Sequence, residues 1–233
     1  MQYIDSHIEL CLESPSSGFY ELNQKDKEAI DQNHTIARIR KGGYLFREGE
    51  KARGLLCLAS GKAKVFREGV AGREHIMKMM KVLDLIGFHS LLTGSAWSAN
   101  AVAIEDSVTC TIERNCLMRI LRTNPDLSLK FSQIMAEELR YSYDKMVSLT
   151  QKHVRGRLVE SLLMLAEIYG FEDDCVTIRA CLSRSDIAHL SNMTTSNAIR
   201  TLSNLATEGN IRIRGRKISL LKMDELGRIS EQA

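Results

Sequence analysis

Hydrophobic and polar positions follow two different periods along this chain of 233 residues. From about residue 35 to residue 115, short apolar runs such as residues 55–58, 63–66 and 107–112 alternate with turns. Nine glycines punctuate this part, at positions 42, 43, 49, 54, 61, 69, 72, 87 and 94. Short strands separated by turns at this spacing predict an antiparallel β-roll, or jelly roll. A short helix is predicted before it, over residues 22–34.

A helical period replaces this pattern at Asn124-Pro125, where Asn can cap a helix and Pro is tolerated in the first turn. Apolar residues then recur in steps of three, four or seven, at Phe131, Met135, Leu139, Met146 and Leu149. A stripe of this length outside a domain core predicts a two-helix seam between subunits, although the helix could instead pack on its own β-roll. A second helix is predicted over residues 154–169, ending at Gly170.

Two short helices joined by a tight turn are predicted after residue 182. Ser183 and Asp186 form an S-x-x-D capping box for the first helix. Asn192 suits the sharp reversal, because Asn tolerates the left-handed conformation. Thr194 can cap the second helix, which should run to about Glu208.

The second of these helices has two different faces. Ala198, Leu202 and Leu205 recur at helical spacing and should pack inward. The other face is short, hydroxylated and cationic, a composition that can enter a major groove without repulsion. A basic hairpin over residues 211–220, with its turn near Gly215, follows. From residue 182 to residue 222, seven Lys and Arg residues stand against two acidic ones, a balance of +5.

Composition limits the remaining possibilities. The whole chain carries a formal charge of only +3, so the basic character is local to this stretch. No run reaches the length of a transmembrane helix, and the first residues lack a secretion signal. We therefore expect no membrane association. Six cysteines without a C-x-x-C pair predict reduced thiols in a cytoplasmic protein. The sequence holds none of the common catalytic motifs, so we do not expect an enzyme.

The C-terminal residues L-S-R-x-D-I-A-x-L, T-x-S-N-A-I-R-T-L-x-x-L-x-x-E-G and G-R-K-I resemble the winged helix-turn-helix of the Crp/Fnr family of bacterial transcription regulators. The runs R-K-G-G-x-L-F-x-E-G-E from Arg40, S-G-K-A-K-V from Ser60 and D-x-I-G-F-x-S-L-L-T-G from Asp84 are similar to its cyclic-nucleotide-binding roll. The resemblance implies an α+β fold with an effector domain (residues 1–124), a dimerisation helix (125–150) and a DNA-binding domain (151–233). It also implies a homodimer that reads a palindromic double-stranded site under control of a signal, with RNA polymerase as a further partner.

Ten residues are expected to contact DNA: Ser183, Arg184, Thr194, Thr195, Ser196, Asn197, Ile199, Arg200, Arg216 and Lys217. The resemblance implies that Arg200 reads a guanine edge. Ser196 stands where similar members carry Glu, so the base pair that Glu would fix should be read less strictly. A regulatory module acting only through protein contacts is the alternative, but it would leave this basic surface without a purpose.

The effector pocket is expected to involve Gly87, Phe88, His89, Ser90, Trp97, Ser98, Ser142 and Tyr143. Members that bind cyclic AMP carry Glu where Phe88 stands and an Arg-Ser pair where Trp97-Ser98 stands. Without the Arg, the charge that offsets burial of a phosphate is missing. We therefore expect a less charged ligand, or none, in place of cyclic AMP.

The cysteines and histidines bear on other sensor chemistries. Cys11 is the only cysteine near the N-terminus, so an iron–sulfur cluster is not expected. A haem would need an axial ligand such as His75 or His89, each of which is more simply explained as an ordinary histidine. Cys110 and Cys116 could form a redox pair, but nothing in the sequence near them would lower a thiol pKa.

Overall fold

The structure is a computed structural model, and it describes residues 6–69 and 72–231. The helices are α1 (Ser6–Glu13), α2 (Gln24–Asp31), α3 (Phe88–Thr93), α4 (Arg114–Thr123), α5 (Pro125–Gln151), α6 (Val154–Tyr169), α7 (Arg184–Leu190), α8 (Thr195–Thr207) and α9 (Met223–Glu231). The strands are β1 (His34–Ile39), β2 (Tyr44–Phe46), β3 (Gly54–Ser60), β4 (Ala63–Glu68), β5 (Glu74–Met80), β6 (Leu85–Ile86), β7 (Asn100–Ala103), β8 (Ser107–Glu113), β9 (Ile211–Arg214) and β10 (Lys217–Leu220).

The predicted α+β architecture is confirmed. Strands β1 to β8 form two four-stranded sheets, ordered β1-β8-β3-β6 and β2-β7-β4-β5. The register is antiparallel where β8 pairs with β1 and β3, and where β2 pairs with β7. Strands β9 and β10 form a separate two-stranded hairpin. None of the helices in the described part of the chain combines the length and apolarity that crossing a bilayer requires.

The chain divides into two compact units, Met1–Val65 with Met80–Arg140 and Phe66–Met79 with Tyr141–Ala233. In the first unit, strand β3 is buried on both faces. Leu55 and Cys57 belong to a cluster that includes residues of α1, α4 and α5. Leu56 and Leu58 belong to a second cluster, with residues of β2, β4 and β7. A strand that is buried on both faces needs a continuous apolar run, which explains its sequence.

The second unit has its core between α6, α7, α8, α9 and the hairpin. Helix α6 ends at Gly170 as predicted, and the φ of 70° there is one that glycine adopts at little cost. The hairpin turns at Gly215, as predicted. Its apolar residues Ile211, Ile218 and Leu220 are at most 4% exposed, so the hairpin is fixed by packing on the helices.

Some element predictions were wrong. The helix predicted over residues 22–34 is shorter, because Asn23 caps α2 and His34 already pairs with Ile112 in the sheet. The first 18 residues gave no prediction, yet they contain α1, which buries Ile8 and Cys11. Helix α1 is too short for a clear helical period, and its buried residues pack against strands β3 and β8, which are distant in the sequence.

Helix α5 begins as predicted, with the Asn124 side chain accepting from the Leu127 backbone amide at 3.0 Å. The predicted intersubunit stripe is wrong at its first positions. Phe131 is only 3% exposed, and Met135 packs against the same cluster of the first unit. The stripe's regular period cannot distinguish burial within one subunit from burial between two, because both require apolar residues at helical spacing.

Candidate nucleic-acid interface

Helix α7 and the turn after it are fixed by the predicted local interactions. The Ser183 hydroxyl accepts from the Asp186 amide at 3.0 Å, and the Asp186 carboxylate accepts from the Ser183 amide at 3.2 Å. Asn192 has a φ of 50°, the left-handed conformation expected for the reversal. Together these features set the start of α7 and the direction in which the chain enters α8.

Two arginines of α6 that the sequence reasoning missed support this arrangement. Arg157 donates to the carbonyl oxygens of Ser191 (3.2 Å) and Asn192 (3.3 Å), which would otherwise lack partners in the turn. Arg155 forms a bidentate ion pair with Glu208, the residue that ends α8. Nothing in the local sequence marks these contacts, because Glu208 lies 53 residues from Arg155 and Ser191 lies 34 residues from Arg157.

Helix α8 shows the two faces predicted for it. Ala198, Leu202 and Leu205 are at most 1% exposed and anchor the helix in the core. Ser196, Ile199, Arg200 and Ser203 are exposed, while Thr195 and Asn197 are half-buried. The Thr194 side chain accepts from the Asn197 amide and so caps the helix as predicted. The exposed face therefore offers hydroxyls, one guanidinium and one isoleucine, with no carboxylate.

The guanidinium of Arg200 is held by its own helix. Its Nη2 donates to the Asn197 side-chain oxygen at 2.9 Å, one turn earlier. Because Asn197 occupies one nitrogen, the side chain loses rotamer freedom before any partner arrives. A guanidinium oriented in advance gives up less entropy when it binds, which favours specific recognition.

The basic residues in and near the hairpin have different environments. Arg212, Arg214 and Arg216 are exposed. Lys217 is also exposed, but its ammonium lies 2.7 Å from the Glu172 carboxylate, and this ion pair raises the Lys217 pKa. Arg184, at the start of α7, donates from Nη2 to the Gly215 carbonyl at 2.7 Å, while its Nη1 is buried and has no hydrogen-bond partner in the described structure. Arg184 therefore supports the hairpin turn.

A polar cluster joins the end of α5 to α6. The Glu160 carboxylate accepts hydrogen bonds from Lys152 (2.9 Å) and from the Ser148 hydroxyl, and Lys145 lies 4.0 Å away. Burial raises the pKa of Glu160, but the hydrogen bonds from Ser148 and Lys152 and the lysine charges lower it by more, so it lies below its usual range. This cluster fixes α6 against the end of α5, and α6 in turn leads into α7 and α8.

The remaining exposed apolar side chains of α5 lie in its second half. Leu139 (52% exposed), Tyr143 (58%) and Met146 (61%) are spaced by four and three residues, with Val147 (52%) beside them. This spacing places Leu139, Tyr143 and Met146 on one side of the helix. Leu149 is half-buried. An exposed apolar side of this length is a typical protein–protein contact surface.

Trp97 stands at the position where the resemblance implies a phosphate-binding arginine, and its indole is part of the apolar core. Trp97 is 8% exposed and stacks on Phe46, with ring centroids 4.0 Å apart and planes at 14°. Gly87, at a φ of 109°, lies directly against the ring, since a Cβ there would come within 2.8 Å of it. The interior of the roll is therefore occupied by an aromatic side chain of the protein itself.

Phe88 does not line this space, which corrects the sequence prediction. Its ring packs at 84° against Phe131 of α5, with centroids 5.1 Å apart, inside the other apolar cluster. The left-handed Gly87 turns the chain into α3, and Phe88 is thereby directed into the core beneath α5. The sequence could not show this, because the direction of the Phe88 side chain depends on where α3 packs, and distant residues such as Phe131 decide that.

The other predicted pocket residues have simpler local roles or lie in the other unit. Ser90 is buried and donates to the Ala96 carbonyl at 3.0 Å. His89 and Ser98 are exposed, and the His89 ring lies 3.3 Å from the Ser95 hydroxyl. Ser142 and Tyr143 are exposed on α5 within the second unit.

The cysteines are grouped differently from the pair considered above. Cys11 and Cys57 are buried with their sulfurs 3.0 Å apart, and Cys110 also interacts with Cys11. The bond with Cys110 lowers the pKa of Cys11, but the bond with Cys57 and burial raise it by more. Cys116 contacts the Ala29 carbonyl, and burial raises its pKa. These are features of unreactive core thiols.

His75, the other residue considered as a haem ligand, lies on β5 in the second unit. Burial lowers its pKa, and the charges of Lys145 and Arg73 add to this effect. Within residues 6–69 and 72–231, no group of three or more His, Cys, Asp or Glu side chains is arranged to hold a metal ion.

Two families of known domains match successive parts of the chain. A cyclic nucleotide-binding domain family matches residues 36–124, and a Crp-like helix-turn-helix domain family matches residues 156–229. The CRP-like cAMP-activated global transcriptional regulator of Mycobacterium tuberculosis is 25% identical over 189 residues, covering 81% of this chain and 84% of that protein. The fumarate nitrate reduction regulatory protein of Klebsiella oxytoca is 26% identical over 233 residues, covering 97% of this chain and 91% of that protein.

The solved structure of FixK2 from Bradyrhizobium japonicum has the same fold. It is 24% identical and superposes with a TM-score of 0.77, covering 86% of this chain and 98% of that one. The curated relatives are transcription regulators and not enzymes, in agreement with the sequence prediction. Both functional parts of the chain thus match one group of proteins in the same order, and the chain belongs to the Crp/Fnr family of transcription regulators.

Proposed function

We propose that this regulator binds a palindromic DNA site as a homodimer, with α8 of each subunit in the major groove. The observation that carries the proposal is the exposed face of α8, where Asn197 orients the Arg200 guanidinium between short polar side chains. An oriented guanidinium can donate two parallel hydrogen bonds to the O6 and N7 atoms of guanine. Two half-sites about one helical turn apart, roughly 34 Å, would match two such helices.

The hairpin would contact the phosphate backbone. Arg214 and Arg216 are exposed at its turn, and Arg184 supports the turn from α7. We accordingly assign Arg184 and Lys217 to positioning the hairpin, and Arg216 to phosphate binding. Phosphate contacts carry no sequence information but impose a strong dependence on salt concentration.

Matched substitutions of two arginines test this assignment. Arg200→Ala should weaken binding to the preferred site by about 1–3 kcal/mol and leave binding to random DNA nearly intact. Arg216→Ala should weaken binding to both and reduce the salt dependence. Gel-shift titrations over a salt series measure all four affinities. Equal losses on specific and random DNA for both variants would show that Arg200 is only a phosphate contact.

We propose that the dimer forms along the exposed apolar side of α5 defined by Leu139, Tyr143 and Met146. Replacing Leu139 and Met146 together by Asp places four like charges in the seam of a dimer and should give monomers. Gln133→Asp with Gln151→Asp, at exposed positions of α5 away from this side, is the matched control. Sedimentation measures the mass of each variant. A dimer that survives the first pair of substitutions would place the interface elsewhere.

We propose that the roll responds to a signal other than cyclic AMP. The space beside Gly87 is filled by the Trp97 ring, and Trp97 stands where cyclic-AMP-binding members carry the arginine that offsets a phosphate charge. One relative of this chain is named as cAMP-activated, and the proposal is that this chain differs from it in its signal. Calorimetry with millimolar cyclic AMP should show no saturable heat. A micromolar dissociation constant would refute this part of the proposal.

The domain boundaries at residues 124/125 and 150/151 and a contact with RNA polymerase also belong to the proposal. Transcription in vitro with purified polymerase tests the latter. A dimer that binds its site without changing transcript levels would refute a direct effect on polymerase, and the regulator would then have to act through another protein.

A further inference from the structure

Ile199 is an apolar side chain in a place where apolar side chains are disfavoured. It lies in the middle of the exposed face of α8 and is 48% exposed. Of the residues of α8, all of which the structure describes, it is the one large apolar side chain on the surface, since Leu202 and Leu205 are at most 1% exposed. Its role is therefore not to support the protein core.

The neighbours of Ile199 identify the surface that it would meet. Ser196 precedes it by three residues and Arg200 follows it directly, and both are exposed. The absence of carboxylates on this face and the exposed arginines of the nearby hairpin favour a polyanion as the partner. In the major groove of DNA, the apolar group available to an isoleucine is the C5-methyl group of thymine.

We propose that Ile199 is a specificity-determining residue that contacts the methyl group of a thymine in each half-site. This inference rests on the proposed function of α8. Ile199 and Arg200 are adjacent on α8, where each residue advances about 1.5 Å along the axis, less than the roughly 3.4 Å between stacked base pairs, so the two side chains lie over the same or neighbouring base pairs. The thymine should therefore lie within one or two base pairs of the guanine that Arg200 reads.

The test begins with selection of the preferred duplex from random DNA by the full-length protein. Each thymine of the selected half-site is then replaced by deoxyuridine, which lacks only the C5-methyl group and keeps the same base pairing. Removing one buried methyl group is worth about 0.8 kcal/mol, or about a fourfold loss of affinity. Symmetric replacement in both half-sites should cost the wild type about 15-fold, at one position near the guanine.

The Ile199→Ala variant should bind the thymine and deoxyuridine duplexes equally, because the contact is already lost. Its unfolding midpoint should equal that of the wild type, since the side chain is exposed. Leu221→Ala is the matched control, because Leu221 is an exposed apolar residue (37%) outside α8. It should keep the full sensitivity to deoxyuridine.

Three results would overturn the inference. The preferred half-site could lack a thymine within two base pairs of the guanine, or no deoxyuridine replacement there could weaken wild-type binding. Alternatively, Ile199→Ala could retain the wild-type sensitivity, which would assign the methyl contact to another residue. A selection that enriches no sequence over random DNA would overturn the proposed function as well, and is distinguishable from these three.

Discussion

The structure predicts that the first unit is stabilised by Trp97, which stands where cyclic-AMP-binding members carry an arginine. The indole is 8% exposed, stacks on Phe46 at 4.0 Å and lies against Gly87. Trp97→Ala would leave a cavity lined by these groups and by the apolar cluster of β3 and β7. Truncating a buried aromatic ring of this size to Ala lowers the free energy of unfolding by about 3–5 kcal/mol.

A control variant separates ring stacking from general packing. Trp97→Phe keeps an aromatic ring next to Phe46 and should lose much less stability than Trp97→Ala. Differential scanning calorimetry on the full chain measures the transition of the first unit. Trp97 is the only tryptophan of the chain, so its fluorescence in the wild type should also resist quenching by acrylamide.

The cavity itself can be tested with a small ligand. Free indole should bind Trp97→Ala and raise its unfolding free energy by about 1.4 kcal/mol at ten times its dissociation constant, whereas the wild type should not respond. A loss below about 1 kcal/mol for Trp97→Ala would refute the reasoning, because that is less than a well-packed ring contributes. Indole stabilisation of the wild type would equally show that the roll has other free space.

Three further substitutions test local features of the second unit by chemical denaturation. Ser183→Ala should destabilise it by about 1 kcal/mol, because α7 loses its cap, while Ser203→Ala, at an exposed position of α8, should not. Asn192→Gly should be nearly neutral and Asn192→Val should cost about 1–3 kcal/mol, because the backbone is left-handed there; equal effects would contradict the assigned conformation. Glu160 has a lowered pKa in the folded state, so its stabilisation is present above its unfolded pKa of about 4.3 and is lost as the pH falls through the folded pKa. Glu160→Gln should therefore lose less stability than the wild type between about pH 5 and pH 3, and identical acid curves would count against the lysine–glutamate cluster.

The sequence by itself determined the features that depend on neighbouring residues. The capping box at Ser183, the reversal at Asn192 and the two faces of α8 each need only interactions within one or two turns of helix. The hairpin turn at Gly215 is equally local. The family resemblance was carried by these same short motifs, which is why the DNA-binding part was the clearest prediction.

Only the tertiary structure decided the features that depend on distant partners. Only the packing of distant segments shows that Phe88 meets Phe131 of α5 while Trp97 meets Phe46 of β2. The stripe of α5 is likewise buried within the subunit at Phe131 and exposed at Met146, although its sequence period is the same throughout. Periodicity predicts that a side chain will be buried. The partner that buries it is determined by segments far away in the chain.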